Sequence, residues 1–380
     1  MSARLRLPFM LTKRPELSPR ATLVARLAAV ALSLVFAGLV LLLFGLNPLQ
    51  VFGSILEGSL GTKLRIQQTV VKAVPLTIAS LGILVAFKMK FWNIGGEGQI
   101  MMGALGASLV ALNAPVTWPA ALMLSVMAAA GIVFGAAWAL VPAVFKVRFG
   151  TNETIFTLMM NYLAIKFVTY LQYGPWRDPA SAGFPKIAPY PENAVLPRLF
   201  GVHIGWVIAL VLVGGVYLFL THTKKGYEIS VVGESIDTAR YAGMNIGQIV
   251  IVALSISGGL CGLVGMIQAS AIEKTLTSGI SANYGFTAII TAWLSRLNAI
   301  VVLIVCVAFA MLLQGAAFIQ LQLQVPASVA EIVEGAILFF VLGSEFFLSY
   351  RLSRRGGGVA GGASAASEAA AGAASEEAIA

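Results

Sequence analysis

The chain has 380 residues, of which 58% are hydrophobic and only 11% charged, and it carries a net charge of +9. That balance excludes an ordinary soluble domain. Many apolar runs approach the roughly 20 residues a helix needs to cross a bilayer, and no alternation of the kind that builds a transmembrane barrel is present.

The first 20 residues hold Arg4, Arg6, Lys13, Arg14 and Arg20 against Glu16. The apolar run behind them, 21 to 44, is too long for the short core of a cleaved signal and lacks a clear cleavage site, so it is read as a retained first span. Further apolar segments fall at 68 to 87, 93 to 112, 117 to 143, 154 to 173, 203 to 221, 248 to 270, 284 to 296, 299 to 319 and 327 to 349, which makes ten. With the basic N-terminus inside, every inner connection is basic: Lys88 and Lys90, Lys146 and Arg148, Lys224 and Lys225, Arg296, and finally Arg351, Arg354 and Arg355. The outer connections include the uncharged "NAPVTW" and "QLQLQVP" and a long mixed stretch, 174 to 202. Only 45 to 67, with Lys63 and Arg65, is a mild exception. Basic residues at span ends serve topology, which argues against nucleic acid as their partner.

The expectation is an all-α polytopic membrane protein of about ten transmembrane helices with both termini cytoplasmic. Its second to fifth and seventh to tenth spans would form two blocks related by inversion. The eighth segment, "NYGFTAIITAWLSRL", is short enough for a half-helix or re-entrant piece. The domain plan is a basic cytoplasmic N-terminus at 1–20, a transmembrane domain at 21–349 with a polar loop at 223–247, and a Gly/Ala/Ser-rich cytoplasmic tail at 350–380, expected to be disordered. Cys261 and Cys306 lie in apolar runs and His203 and His222 stand apart, so no disulfide framework or metal-ligand spacing is present.

Two stretches break the apolar monotony. In "FWNIGGEGQI", 91 to 100, the groups of Asn93, Glu97 and Gln99 would be costly facing lipid and are expected to face protein or a water-filled path. Asn93 as a helix cap, with Glu97 near the positive end of the helix dipole, is compatible with that. In the loop at 223–247, Ser235 and Asp237 open a short helical pattern over 234 to 242 that Gly243 closes. Glu234, Asp237 and Arg240 alternate there with Tyr241, the composition of a docking element rather than of a basic anchor. No G-x-x-x-x-G-K-[ST] phosphate loop occurs, so ATP is not hydrolysed here by that chemistry.

The stretch "FWNIGGEGQIMMGA" resembles the signature of permease subunits of ABC importers in the branched-chain amino acid, simple sugar and nucleoside group, specifically its nucleoside-type branch. "TIFTLMMNYLA" at 154 to 164, the segment 226 to 265 and "NYGFTAIITAWLSRLNA" at 283 to 299 extend the resemblance over about 65 to 345. One departure is Ser295 to Ala299, where the family has Gly-Arg-x-x-Pro.

The resemblance implies an ATP-driven importer subunit of the bacterial inner membrane that needs no cofactor of its own, ATP being bound by a partner. The expected partners are cytoplasmic ATP-binding subunits, a second and different permease subunit, and an extracytoplasmic substrate-binding protein. The coupling loop would act through Glu234, Asp237, Arg240, Tyr241 and Gly243. The candidate substrate path comprises Asn93, Glu97, Gln99, Asn161, Tyr162, Asn283 and Phe286, whose amides suit ribose hydroxyls or base edges and whose rings suit stacking. Each polar residue among these equally suits an interhelical hydrogen bond, worth about 0.6 kcal/mol in membranes, and Phe286 equally suits packing. Nucleosides or purines are the expected substrates, with ribose-like sugars as the alternative. An ion-coupled secondary transporter is the rival class, and it lacks the midplane carboxylate pair it would need: Glu97 and Glu345 lie near inner ends, Glu331 and Glu334 near an outer one.

Overall fold

The computed structural model describes residues 9–13, 34–181, 183–324 and 350–354, with single positions at 31, 32, 332, 335 and 339. Residues Ala37–Gly335 form one compact unit and the two terminal segments another.

The larger unit is helical. The first helix, α1 (Leu34–Leu43), begins just before it, and α1 and α2 (Pro48–Leu60) meet at a bend of 115°. They are followed by α3 (Lys63–Lys88), α4 (Gly96–Asn113), α5 (Ala120–Phe149) and α6 (Glu153–Tyr173). A small hairpin, β1 (Arg198–Leu199) with β2 (Val202–His203), precedes α7 (Gly205–His222). Then come α8 (Lys224–Glu234), α9 (Ile236–Tyr241), α10 (Ile246–Ile267) with a π-helical continuation at Gln268–Glu273, α11 (Tyr284–Leu294) and α12 (Ala299–Leu323).

Most boundaries follow local chemistry. Thr62, Asn152, Thr223, Ser235, Asn245 and Asn298 each accept a backbone N–H of the helix they open, the preferred way to satisfy an orphan donor at a helix start. Among the described residues, six helices are long and apolar enough to cross a membrane: α3, α5, α6, α7, α10 with its π turn, and α12. They coincide with six of the ten expected segments. Of the rest, 93 to 112 becomes the 18-residue α4 and 284 to 296 the 11-residue α11. The second half of the segment 21 to 44 holds α1, while residues 21–30, and the segment 327 to 349 apart from single positions, lie outside the described residues.

The stretch 45 to 67, expected as a connection, contains a helix instead. Asn47 caps it by accepting the Leu49 N–H at 3.0 Å, and Pro48 supplies a pre-set first turn. The Arg65 guanidinium pairs with Glu57 at 3.0 Å and lies 4.1 Å from the ring centroid of Phe318, which ties the start of α3 to α2 and α12.

The centre of the unit is α3 together with the α4, α5 and α10 trio. The trio packs backbone to backbone: a Cβ on Gly262 would be driven into the carbonyl of Gly131, and one on Gly103 into Gly262 itself. Small residues permit this close approach, which replaces hydrophobic driving force where the solvent is lipid. α12 lies across α2 and α3. Val133 on α5 and Val211 and Leu218 on α7 remain exposed, as helix faces turned to lipid require. The long connection after α6 is tied down: Tyr190 bonds Ser108, and Thr275 Oγ1 donates to the Ile187 carbonyl at 3.0 Å.

In the terminal unit, β3 (Phe9–Lys13) pairs antiparallel with β4 (Tyr350–Arg354), with Met10 opposite Ser353. The segment expected to begin a disordered tail thus opens with a strand.

Candidate functional site

The five residues before α4 are held by three helices at once. Asn93 is fully buried, and its Nδ2 donates to Ser257 Oγ on α10 at 3.0 Å and to Gln99 Oε1 at 3.2 Å. Its Oδ1 accepts from Gly95 N and from Gln99 Nε2, both at 3.0 Å, so side chain and helix start brace each other. From α6, Asn161 Nδ2 donates to the Ile94 carbonyl at 2.9 Å while its Oδ1 accepts Gly98 N at 2.8 Å. Thr157 Oγ1 accepts Ile94 N at 3.2 Å. Buried amides satisfied on both sides make a stiff junction, because breaking any bond strands a polar group away from water.

Glu97 extends the junction to α11. Its carboxylate accepts Gly285 N at 2.8 Å and Asn283 N at 3.1 Å, the first N–H groups of that helix. A carboxylate at a helix N-terminus gains from charge-assisted bonds and from the dipole. The approach needs Gly285, since a Cβ there would lie 2.6 Å from Glu97 Oε2. α11 is set off at both ends by left-handed residues, Ala282 and Asn283 before it and Arg296 and Leu297 after it. The observed turn at 296 and 297 stands where the family pattern of the last motif is altered. Ser80 on α3 and Thr291 on α11 add one side-chain bond between those helices.

The seven path residues expected from sequence divide. Asn93, Glu97, Gln99 and Asn161 are at most 2% exposed and bonded to protein groups. Tyr162 and Phe286 are exposed on α6 and α11, and Asn283 is exposed at the start of α11. Thr157 and Ser257, which complete the junction, were not singled out from sequence, although both stand inside the stretches that carried the resemblance.

The loop at 223–247 folds into two helices rather than one. Ser235 ends α8 and caps α9, accepting Thr238 N at 3.2 Å, and Gly243 with φ +72° turns the chain out of α9. Tyr241 is 96% exposed, and Ile236, Glu234 and Arg240 are exposed beside it. The Arg240–Asp237 contact of 3.4 Å is a solvated surface pair of little weight. α8 packs on α3, α7 and α10, and Gly233 sits against the carbonyl of Lys88 so closely that no side chain fits. A push on α8 therefore reaches the end of α3, a few residues ahead of Asn93.

Residues 65–342 match the model of the branched-chain amino acid transport system/permease component family. The chain belongs to this permease family. The permease is 31% identical over 364 residues to the glucose ABC transporter permease protein TsgB13 of Haloferax volcanii, a match covering 90% of this chain and 95% of that one. It is 27% identical over 347 residues to the guanosine ABC transporter permease protein NupP of Bacillus subtilis, covering 88% and 97%. To the nucleoside ABC transporter permease protein NupB of Lactococcus lactis it is 26% identical over 332 residues, covering 83% and 89%. The permease is thus an integral membrane subunit of an ABC transporter.

Proposed function

We propose that this permease forms, with a second permease chain, the translocation path of an ATP-driven importer of nucleosides or purines in the bacterial inner membrane. The carrying observation is the Asn93 to Gln99 junction: a nucleoside-type signature folded into a rigid knot that links α4, α6, α10 and α11. Two of the three relatives described above bear nucleoside names. The glucose relative favours simple sugars as the second reading.

In this reading ATP is bound and hydrolysed by cytoplasmic partner subunits, which grip the exposed tip formed by Glu234, Asp237, Arg240, Tyr241 and Gly243. An extracytoplasmic binding protein delivers the substrate to the opposite end. Both termini lie in the cytoplasm, and about ten spans cross the membrane. Asn283, Tyr162 and Phe286 meet the substrate, and Asn93, Glu97, Gln99 and Asn161 hold the helices that present them.

The test is uptake of radiolabelled adenosine and ribose by cells expressing the full operon, each with excess of the other compound. Adenosine uptake that ribose does not compete supports the nucleoside reading; ribose uptake alone moves the permease to the sugar reading.

A further inference from the structure

On α6, Tyr162, Lys166 and Tyr170 stand at i, i+4 and i+8, so they share one side of the helix, and all three are exposed. The other side, with Asn161, Ala164 and Val168, is buried, and α6 packs on α4. Lys166 makes no hydrogen bond and no ion pair among the described residues.

The depth of that lysine matters. α6 has 21 residues, about 30 Å of helix, which matches the thickness of the hydrocarbon layer. Lys166 stands seven residues, roughly 10 Å, short of the last one, Tyr173. In a helix the Cα–Cβ bond leans toward the N-terminus, here toward Glu153, so the side chain sets out away from the nearer end and must double back to bring its charge to the interface there. A charge at that depth is costly against lipid and belongs beside a water-filled cavity or a partner charge.

A second observation comes from the chain between the π turn and α11. Residues 274–283 form no regular helix, yet they run beside α6. Ser278 N donates to Gln172 Oε1 at 3.2 Å near the Tyr173 end, and five residues on Asn283 N donates to Glu97 at the start of α4, which Asn161 of α6 also holds. Gly279, Ala282 and Asn283 are exposed. Non-helical backbone at membrane depth is tolerated only where protein buries it or where it lines water. An unpaired ammonium and exposed irregular backbone, independent features of the chain, therefore both require water beside α6.

The ammonium group sets the chemistry of that water-filled space. It has three donors and no acceptor, and its field reaches several ångströms across a narrow path. Hydroxyl and ring oxygens of a sugar, or ring nitrogens of a purine, accept from it, whereas a cationic solute is repelled.

We propose that Lys166 is a specificity-determining residue of the translocation path: it projects into water inside the assembled importer, donates to acceptors of the passing neutral solute and turns cations away. The assignment rests on the importer reading above.

The experiment uses the assembled importer in liposomes, carrying Tyr162→Cys, Lys166→Cys or, on the lipid-facing side of α7, Val211→Cys. Two membrane-impermeant thiol reagents of opposite charge are applied, sulfonatoethyl and trimethylammonioethyl methanethiosulfonate; Cys261 and Cys306 are buried and form the background. Tyr162→Cys and Lys166→Cys are expected to react with both reagents, and Val211→Cys at least tenfold more slowly. Adding Lys166→Met to Tyr162→Cys should lower the ratio of sulfonate to ammonium rates at least threefold, and adding Lys166→Arg should preserve it. Lys166 is exposed and unbonded, so these changes leave the packing in place. Uptake of adenosine or ribose, whichever the wild type carries, should fall at least fivefold in Lys166→Met and stay within twofold in Lys166→Arg. Tyr162→Cys and Lys166→Cys reacting no faster than Val211→Cys would mean that lipid or the second permease chain covers this face, and an unaltered rate ratio or undiminished uptake in Lys166→Met would deny the lysine its role; each result overturns the proposal. Uptake by the wild type with unreactive thiols removes the path assignment alone, whereas reactive thiols with the expected ratio and no uptake of either compound support the charged path and remove the nucleoside and sugar readings.

Discussion

Glu97 shows how one side chain joins two distant parts of the chain. Its carboxylate satisfies two backbone donors at the start of α11, one of them 186 positions away. Glu97→Ala would leave the buried Gly285 N–H and the half-buried Asn283 N–H without this acceptor, at a cost of about 2–4 kcal/mol, since each charged bond is worth roughly 1.5–3 kcal/mol and part of the loss relaxes. Glu97→Gln keeps a carbonyl acceptor and is expected to lose about half as much. Melting of the purified permease in detergent should rank wild type above Gln above Ala, and equal melting of the two variants would contradict the capping role. His203 predicts a pH effect of definite sign. Its folded-state pKa of about 4 lies below the ordinary 6.5, so between those values the unfolded chain binds a proton that the folded chain refuses. The neutral ring's contribution is therefore intact above pH 6.5, fades as the pH falls, and is fully lost below about 4, a change on the order of 3 kcal/mol. The melting temperature of the wild type should fall more steeply than that of His203→Gln across this window; parallel curves would remove the histidine from the explanation.

At the scale of elements, the α4, α5 and α10 trio behaves as one body because its helices touch through backbone. Gly262→Ala must push against the carbonyl of Gly131, whereas Gly214 on α7 has no atom within 4 Å of its would-be Cβ. Gly262→Ala is expected to lower the melting temperature by several degrees or to abolish folding. Gly214→Ala should leave it unchanged or raise it, as removal of a helix-interior glycine does. Comparable losses in the two variants would mean that the close packing is not what the contacts describe. The α8–α9 pair, by contrast, displays side chains. Tyr241 makes almost no contact within the chain. Tyr241→Ala should therefore leave melting unaltered while transport and transport-stimulated ATPase activity fall together, and a drop in transport alone would place the residue outside the coupling contact.

For the whole molecule, pairing of β3 with β4 sets residues 9–13 beside residues 350–354, and the importer reading puts both segments in the cytoplasm. Met10 and Ser353 face each other across the ladder, within the Cα separation that a disulfide spans. A Met10→Cys, Ser353→Cys double variant should cross-link under mild oxidant, and both thiols should react with an impermeant reagent only from the cytoplasmic side. Labelling from opposite sides would break the topology. Six spans were legible because apolar length and basic flanks are local properties, and α9 because Ser235 and Gly243 are local start and stop signals. The helix α2 was missed although Asn47 and Pro48 announce it, since the polar flanks of 45 to 67 read as a connection. The sequence by itself determined that this is a helical membrane protein, where most helices begin, and which polar groups could not face lipid. Only the tertiary structure decided that Asn93 meets Ser257, that Asn161 holds the start of α4, that Glu97 caps α11, and that His203 is buried with neither ring nitrogen bonded. The reason is physical: caps and apolar runs act over a few residues, whereas the partner of a buried polar group is chosen by how helices far apart in the chain pack together.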